Sequence, residues 1–277
     1  MLGKLIKYDL RSCLRKFWMV WVGILALAAI NGFTIGHVLT NKSFTGVWAF
    51  ILGVLPIILL GVLGVAMGVL ILVFICERFY RGLLGDEGYL MFTLPATTAE
   101  HIGSKAIVAL ILEVISALVA VAAGFLLLTV LDAPGFFRGF REALGFLRGL
   151  EYPRGFGLLI AELVVLGVVG TIASTLQIYQ AIAIGHLAKK HRAAWSVVAF
   201  VGINTALSIL SFTGLSSLER PMEWITRMTI SFDETGIHGN LGGAAAAFGF
   251  VLLEQLVLGA IFFFGTKLIL DKKLNLE

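Results

Sequence analysis

Charge is what this 277-residue sequence has least of. Asp, Glu, Lys and Arg make up 14% of it and apolar residues 59%, with a mean hydropathy of +0.98. A soluble domain carries roughly 25% charged residues, so a soluble globular protein is excluded. The segments between apolar runs reach about thirty residues at most, too few for an independent core. Cysteine is nearly absent. Cys13 and Cys76 fall at the cytoplasmic ends of the first two spans in the topology derived below, so both are expected as reduced thiols with no disulfide framework. The N-terminus does not have the form of a cleavable signal peptide, because a charged, amphipathic stretch, residues 1–16, precedes the first apolar run.

Sequence patterns for chemistry are missing as well. There is no H-E-x-x-H and no G-x-S-x-G, so a membrane-bound hydrolase has no support. No G-x-x-x-x-G-K-[ST] occurs, since Gly3-Lys4 and Gly265-Thr266-Lys267 do not fit the spacing. A phosphate-cradling loop must therefore come from another chain if ATP drives this protein. His186 and His191 flank Leu187-Ala188-Lys189-Lys190 without further donors at metal-ligand spacing, and the group reads as a positive anchor. No internal repeat is visible, which removes support for an inverted-repeat transporter.

What is present is six apolar runs, at roughly 17–39, 47–76, 106–131, 157–185, 194–212 and 245–270. Each is long enough for a ~30 Å hydrocarbon core, which needs about 20 helical residues. The second and fourth are over-long and are expected to tilt or project past the headgroups. Pro56 should kink the second, and Gly53, Gly61, Gly64 and Gly68 beside it should allow close helix approach, with the Gly64-x-x-x-Gly68 pair serving packing within the chain rather than dimerisation. The expected fold class is an all-α integral membrane protein, one transmembrane domain over 1–277.

Residues 1–16 place Leu2, Leu5, Ile6, Cys13 and Leu14 at helical spacing opposite Lys4, Lys7, Arg11 and Arg15. This pattern predicts an amphipathic helix lying in the membrane interface. The segment 132–156 alternates Phe136, Phe137, Phe140, Phe146 and Phe156 with arginines and is expected on the outer headgroups. In the outer loop, 213–243, Pro221-Met222-Glu223-Trp224-Ile225 reads as an interfacial turn of helix. Lys and Arg number fourteen in the terminal segments and in the loops 77–105 and 186–192, against seven on the opposite side. That asymmetry puts both termini and the 77–105 loop in the cytoplasm. It also accounts for the net charge of +4 without any nucleic-acid partner.

The 77–105 loop mixes Arg78, Arg81, Asp86 and Glu87 with Phe79, Tyr80, Tyr89, Leu90, Met91 and Phe92, and closes through Pro95 and Ala96-Thr97-Thr98-Ala99-Glu100. Soluble charge beside exposed aromatics is what a short partner-binding helix requires. Together with the N-terminal helix, six spans and an outer excursion after span five, this resembles an ABC-2 type transporter permease. RFYRGLLGDEGYLMFTLP, 78–95, resembles the signature of the small permeases of Gram-positive bacteria, and the ending DKKLNLE, 271–277, is similar to theirs.

The resemblance implies an N-terminal elbow helix and a cytoplasmic coupling helix carrying Asp86, Glu87, Gly88, Tyr89, Leu90, Phe92 and Pro95, which docks on an ATP-binding subunit. It also implies two ATPases holding ATP and Mg, two permeases of the same or different chain, no cofactor in this chain, and export across the plasma membrane through a cleft between the permeases.

Carboxylates within the spans are costly and therefore informative. Glu254 with Gln255 is the best candidate for a polar substrate path. Glu113, eight residues beyond Lys105, needs a partner on another helix, and Glu162 reads as structural near the outer headgroups. Polar sets at Asn31, Thr34 and His37, at Thr171, Ser174 and Gln177, and at Asn204, Ser208 and Ser211 read as hydrogen-bonding glue between helices, with Asn31 also placed on the path. Two other functions fit the same residues: a proton- or ion-coupled transporter using Glu113 and Glu254, and a non-transporting sensor or scaffold that uses the ATPase as a signal.

Overall fold

The computed structural model describes residues 2–40, 47–84, 96–131, 133–149, 155–188, 190–217, 230–232, 237–239 and 242–273. Seven α-helices are present among them: α1 (Leu2–Thr40), α2 (Val47–Phe79), α3 (Thr98–Leu131), α4 (Ala133–Gly149), α5 (Phe156–His186), α6 (Arg192–Ser217) and α7 (Gly242–Lys273). All but α4 are long and apolar enough to cross a membrane, six in number, and the chain is a multi-pass membrane protein. The one sheet among the described residues is a small antiparallel hairpin in the 213–243 loop. In it β1 (Ile230–Phe232) pairs with β2 (Ile237–Gly239), Ile230 opposite Gly239. Pro221 to Ile225, read as an interfacial helical turn, lie outside the described residues.

The N-terminal segment differs from the sequence reading. Residues 2–40 form one unbroken helix, with no separate interfacial element ending at residue 16. Ser12 to Met19 contain neither Gly nor Pro, so nothing in the chain interrupts the helical hydrogen bonds. At 1.5 Å per residue the helix is about 58 Å long, nearly twice a hydrocarbon core. Much of the segment beyond span three is helical, a point on which the sequence reading was silent. α4 begins with Pro134 in its first turn, where a missing N–H costs nothing, and it sets Phe136 and Phe140 5.9 Å apart in a stack. Both rings meet Phe125 of α3 edge-on, at 5.7 and 6.0 Å.

Two compact units divide the chain. One comprises residues 6–74 and 111–148, the other 1–5, 75–110 and 149–277. In the first unit, Phe17 packs edge-on against Phe74 at 5.1 Å, and Lys16 lies over the same ring at 5.7 Å. Trp21 Nε1 donates a 3.0 Å hydrogen bond to Ser116 Oγ. Gly32 lies so close to α3 that a Cβ there would stand 2.8 Å from the Leu127 carbonyl oxygen and from the Val130 Cβ.

The second unit is built on α5. Gly259 of α7 meets Ala173, and Gly265 meets Gln180, so α5 and α7 run parallel with contacts advancing together. At the α5–α6 turn, Gly185 abuts the Ser196 backbone and hydroxyl. α5 itself starts at Gly155, whose φ of 96° lies in the left-handed region open to glycine.

α2 runs without a break through Pro56 and ends in a π-helical turn, Tyr80–Leu84. Its glycines do not pack as expected. Gly61, Gly64 and Gly68 are exposed, and a Cβ at any of them meets no atom within 4 Å. The G-x-x-x-G face therefore serves no packing among the described residues.

Candidate functional site

The two segments that carry the family resemblance lead to one end of the second unit. Thr98 Oγ1, at the start of α3, donates a 2.6 Å hydrogen bond to Asp271 Oδ1, at the end of α7. Thr98, three residues beyond the first motif, is thus tied to the first residue of the second across 173 residues of chain.

Around this contact the flanks of the 85–95 segment are firmly held. On the entry side, Phe79 is fully buried and stacks on Tyr179 of α5 with ring centroids 4.1 Å apart and planes 11° from parallel. Tyr80 meets His186 edge-on at 5.9 Å. Arg81 pairs with Glu77 one helical turn back, N to O 3.2 Å, with the arginine largely and the glutamate partly in solvent. Such a pair contributes about 0.3–0.5 kcal/mol. The aromatic stack, about 0.5–1.5 kcal/mol beyond area burial, is the stronger fixing.

On the exit side, a reciprocal cap starts α3. Glu100 N donates to Thr97 Oγ1 at 3.2 Å, and Thr97 N donates to Glu100 Oε2 at 2.9 Å. This is the capping box that T-x-x-E specifies, and Thr97-Thr98-Ala99-Glu100 shows it openly in the sequence. The next turn of α3 is buried with unusual polarity. His101, Ser104 and Lys105 are each 3% exposed or less, and Ser104 Oγ donates to the His101 carbonyl at 3.0 Å.

Lys105 closes the two sides together. Its Nζ lies 2.6 Å from where a Gly82 Cβ would be, so any larger residue at 82 would make the end of the lysine side chain shift. Gly82 belongs to the π turn that prolongs α2. Asp86, Glu87, Gly88, Tyr89, Leu90, Phe92 and Pro95 lie outside the described residues. What the structure supplies for them is a pair of anchored ends.

The path residues fall into separate units. Asn31, 1% exposed, and the half-buried Glu113 belong to the first, whereas Glu254 and Gln255, also half-buried, belong to the second. The hydroxyl and amide sets read as glue between helices behave differently. Thr34 Oγ1 donates to the Ile30 carbonyl, Ser174 Oγ to Thr171 and Asn204 Nδ2 to Phe200, all within their own helices. The sequence pattern could not separate these cases, because i−3 or i−4 back-bonding uses the same residues as interhelical bonding.

α5 carries buried polar atoms without partners, among them one on Gln180, which the sequence reading passed over. Gln180 Oε1 is buried without a hydrogen-bond partner and lies against Gly265, and Glu162 Oε2 and Gln177 Nε2 are also buried and unpartnered. Three residues of the polar kind on one mostly apolar helix are costly unless water, a partner or a substrate satisfies them. Among the described residues no group of three His, Cys, Asp or Glu side chains could hold a metal ion. Compared with protein-family models, curated proteins and solved structures, the chain finds no match.

Proposed function

We propose that this chain is the permease subunit of an ABC exporter, working with two ATP-binding subunits and a second permease. Its coupling segment, 85–95, relays ATP-driven closure of the partner to the helices. ATP and Mg would bind the partner, since this chain lacks a phosphate-cradling loop. Both termini and the coupling segment would face the cytoplasm of a cell with this protein in its plasma membrane, following the fourteen-to-seven asymmetry of Lys and Arg. The observation that carries the reading is the anchored frame around 85–95. A segment that transmits force needs fixed ends, and here those ends are the Phe79–Tyr179 stack, the Gly82–Lys105 contact and the Thr98–Asp271 hydrogen bond. A hydrophobic or amphipathic peptide or lipid as cargo fits the apolar helices, and the exposed glycine face of α2 suits close approach of a second permease.

Tyr89 and Phe92 are the anchors of the proposed docking. Truncating a buried aromatic anchor typically costs at least ~2 kcal/mol of binding, whereas rim charges change little. The double variant Tyr89→Ala/Phe92→Ala should release a co-expressed ATPase or uncouple hydrolysis from transport, with all six spans still inserted and Arg81→Ala milder. The readouts are ATPase co-purification and substrate-dependent hydrolysis. Wild-type values for both in the double variant would reduce 85–95 to a connector.

The half-buried Glu113 and Glu254 keep a second reading open, a proton- or ion-coupled transporter. It requires transport without any ATPase, which liposomes containing this chain alone would reveal. A sensor coupled to the same ATPase would bind it and move no substrate.

A further inference from the structure

The α5–α6 turn carries a feature that the exporter reading does not use. An open apolar groove of about 420 Å³ is lined by Ile184, Leu187 and Ala188 from the end of α5 and by Trp195, Val198 and Ala199 from α6. That volume is within the range of sites that hold small molecules. Trp195 is 55% exposed and Leu187 45%, so the groove is an apolar surface left uncovered beside the turn. Lys190, His191 and Arg192, all exposed, lie in the turn between the two stretches that line it. Arg192, Trp195 and Ala199 are spaced i, i+3 and i+7, so the cation and the apolar lining share one face of α6. The turn is tight: Leu187 N and Ala188 N donate to the Ile184 and Gly185 carbonyls, at 3.1 and 3.2 Å, and His191 takes a φ of 55°.

The charge here has no counterpart on its own hairpin. Between Glu162 and Glu219 the sequence contains no Asp or Glu, so neither α5 beyond Glu162 nor α6 brings a carboxylate to the basic turn. A second copy of the turn would bring like charge and be repelled. An apolar slot with a cationic rim, on two helices apolar enough to cross a membrane, complements an amphiphile with an anionic head.

We propose that this groove is a binding site for one anionic phospholipid, its acyl chain along Trp195, Val198 and Ile184 and its phosphate against Lys190 and Arg192. Basic pockets between membrane helices recognise anionic headgroups in this way, and Trp at that depth suits the headgroup boundary. The proposal is independent of the ATPase partner.

The test uses the full chain in nanodiscs of phosphatidylcholine with or without phosphatidylglycerol, with retained lipid counted by native mass spectrometry. Wild type should retain one phosphatidylglycerol in preference to phosphatidylcholine. Lys190→Gln/Arg192→Gln should weaken retention roughly thirtyfold, since each basic residue contributes about fivefold. Ala199→Trp, which fills the groove, should abolish retention while the basic rim remains. To separate a filled groove from misfolding, a second arm keeps wild type and shortens the acyl chains, which should weaken binding in step with chain length. No preference for phosphatidylglycerol in wild type overturns the proposal, as does unchanged retention in the rim variant or indifference to acyl length. Displacement by millimolar inorganic phosphate as effectively as by lipid would show a free-phosphate site and likewise overturn it.

Discussion

α2 and the α5–α7 pair are both apolar and both leave much apolar surface uncovered, yet their glycines are used differently. α2 holds the most apolar window of the six spans, and its middle is largely uncovered, with Val62, Val65, Val69 and Leu72 all exposed. α5 and α7 are less apolar, and they pack where a small residue meets a small or polar one: Ala173 on Gly259 and Gln180 on Gly265. In lipid, apolar surface gains nothing by leaving a hydrocarbon solvent for a protein one, so close fit and polar contacts decide which helices meet. Hydropathy therefore marks which helices cross, while small and polar residues mark where they touch.

The largest break in that contrast should come from glycine replacements. Gly185→Leu would force a side chain into the Ser196 backbone, and overpacking of this kind costs ~1–3 kcal/mol or more. The variant should lose most properly folded yield, measured by detergent-extracted monodisperse protein. Gly64→Leu, on the open face of α2, should leave that yield unchanged. Equal losses in the two would abolish the distinction between the helices.

A smaller effect is expected at the start of α3 and the end of α7. Thr98→Val removes the hydrogen bond to Asp271 and keeps the shape, for about 0.5–1.5 kcal/mol. It should lower the melting temperature by a few degrees, and it should weaken substrate-stimulated hydrolysis more than basal hydrolysis if the frame transmits force. Smallest of all, Glu254→Gln should leave folding intact and alter transport or its pH dependence. Unchanged transport and pH profile would return Glu254 to a structural role and remove the best residue of the ion-coupled alternative.

The six crossings were legible because runs of about twenty apolar residues have few other uses. Their ends were less so. α3 starts at Thr98, eight residues before the apolar run from 106, because a capping box and a buried polar turn continue the helix where hydropathy stops. T-T-A-E was present to be read. α4 went unread as a helix because its phenylalanines and arginines were weighed as interface anchors, although Phe136 and Phe140 stand one turn apart. The unbroken α1 shows the converse, since amphipathicity in residues 1–16 fixes a helix but no bend. At the candidate site, composition marked the 77–105 loop, but the pairing of Gly82 with Lys105 and of Phe79 with Tyr179 depends on tertiary approach that no single sequence states.

The π-helical turn at Tyr80–Leu84 sets a direction as well as an ending. Each residue of α-helix swings the chain by about 100°, and a π turn takes up one residue more than an α turn does. The azimuth at which the chain leaves Leu84 is thus fixed a few residues earlier, where Phe79 and Tyr80 rest on Tyr179 and His186 of α5. A small roll of α5 about its own axis would therefore carry Phe79 and Tyr80, and the π turn that Tyr80 begins, along with it.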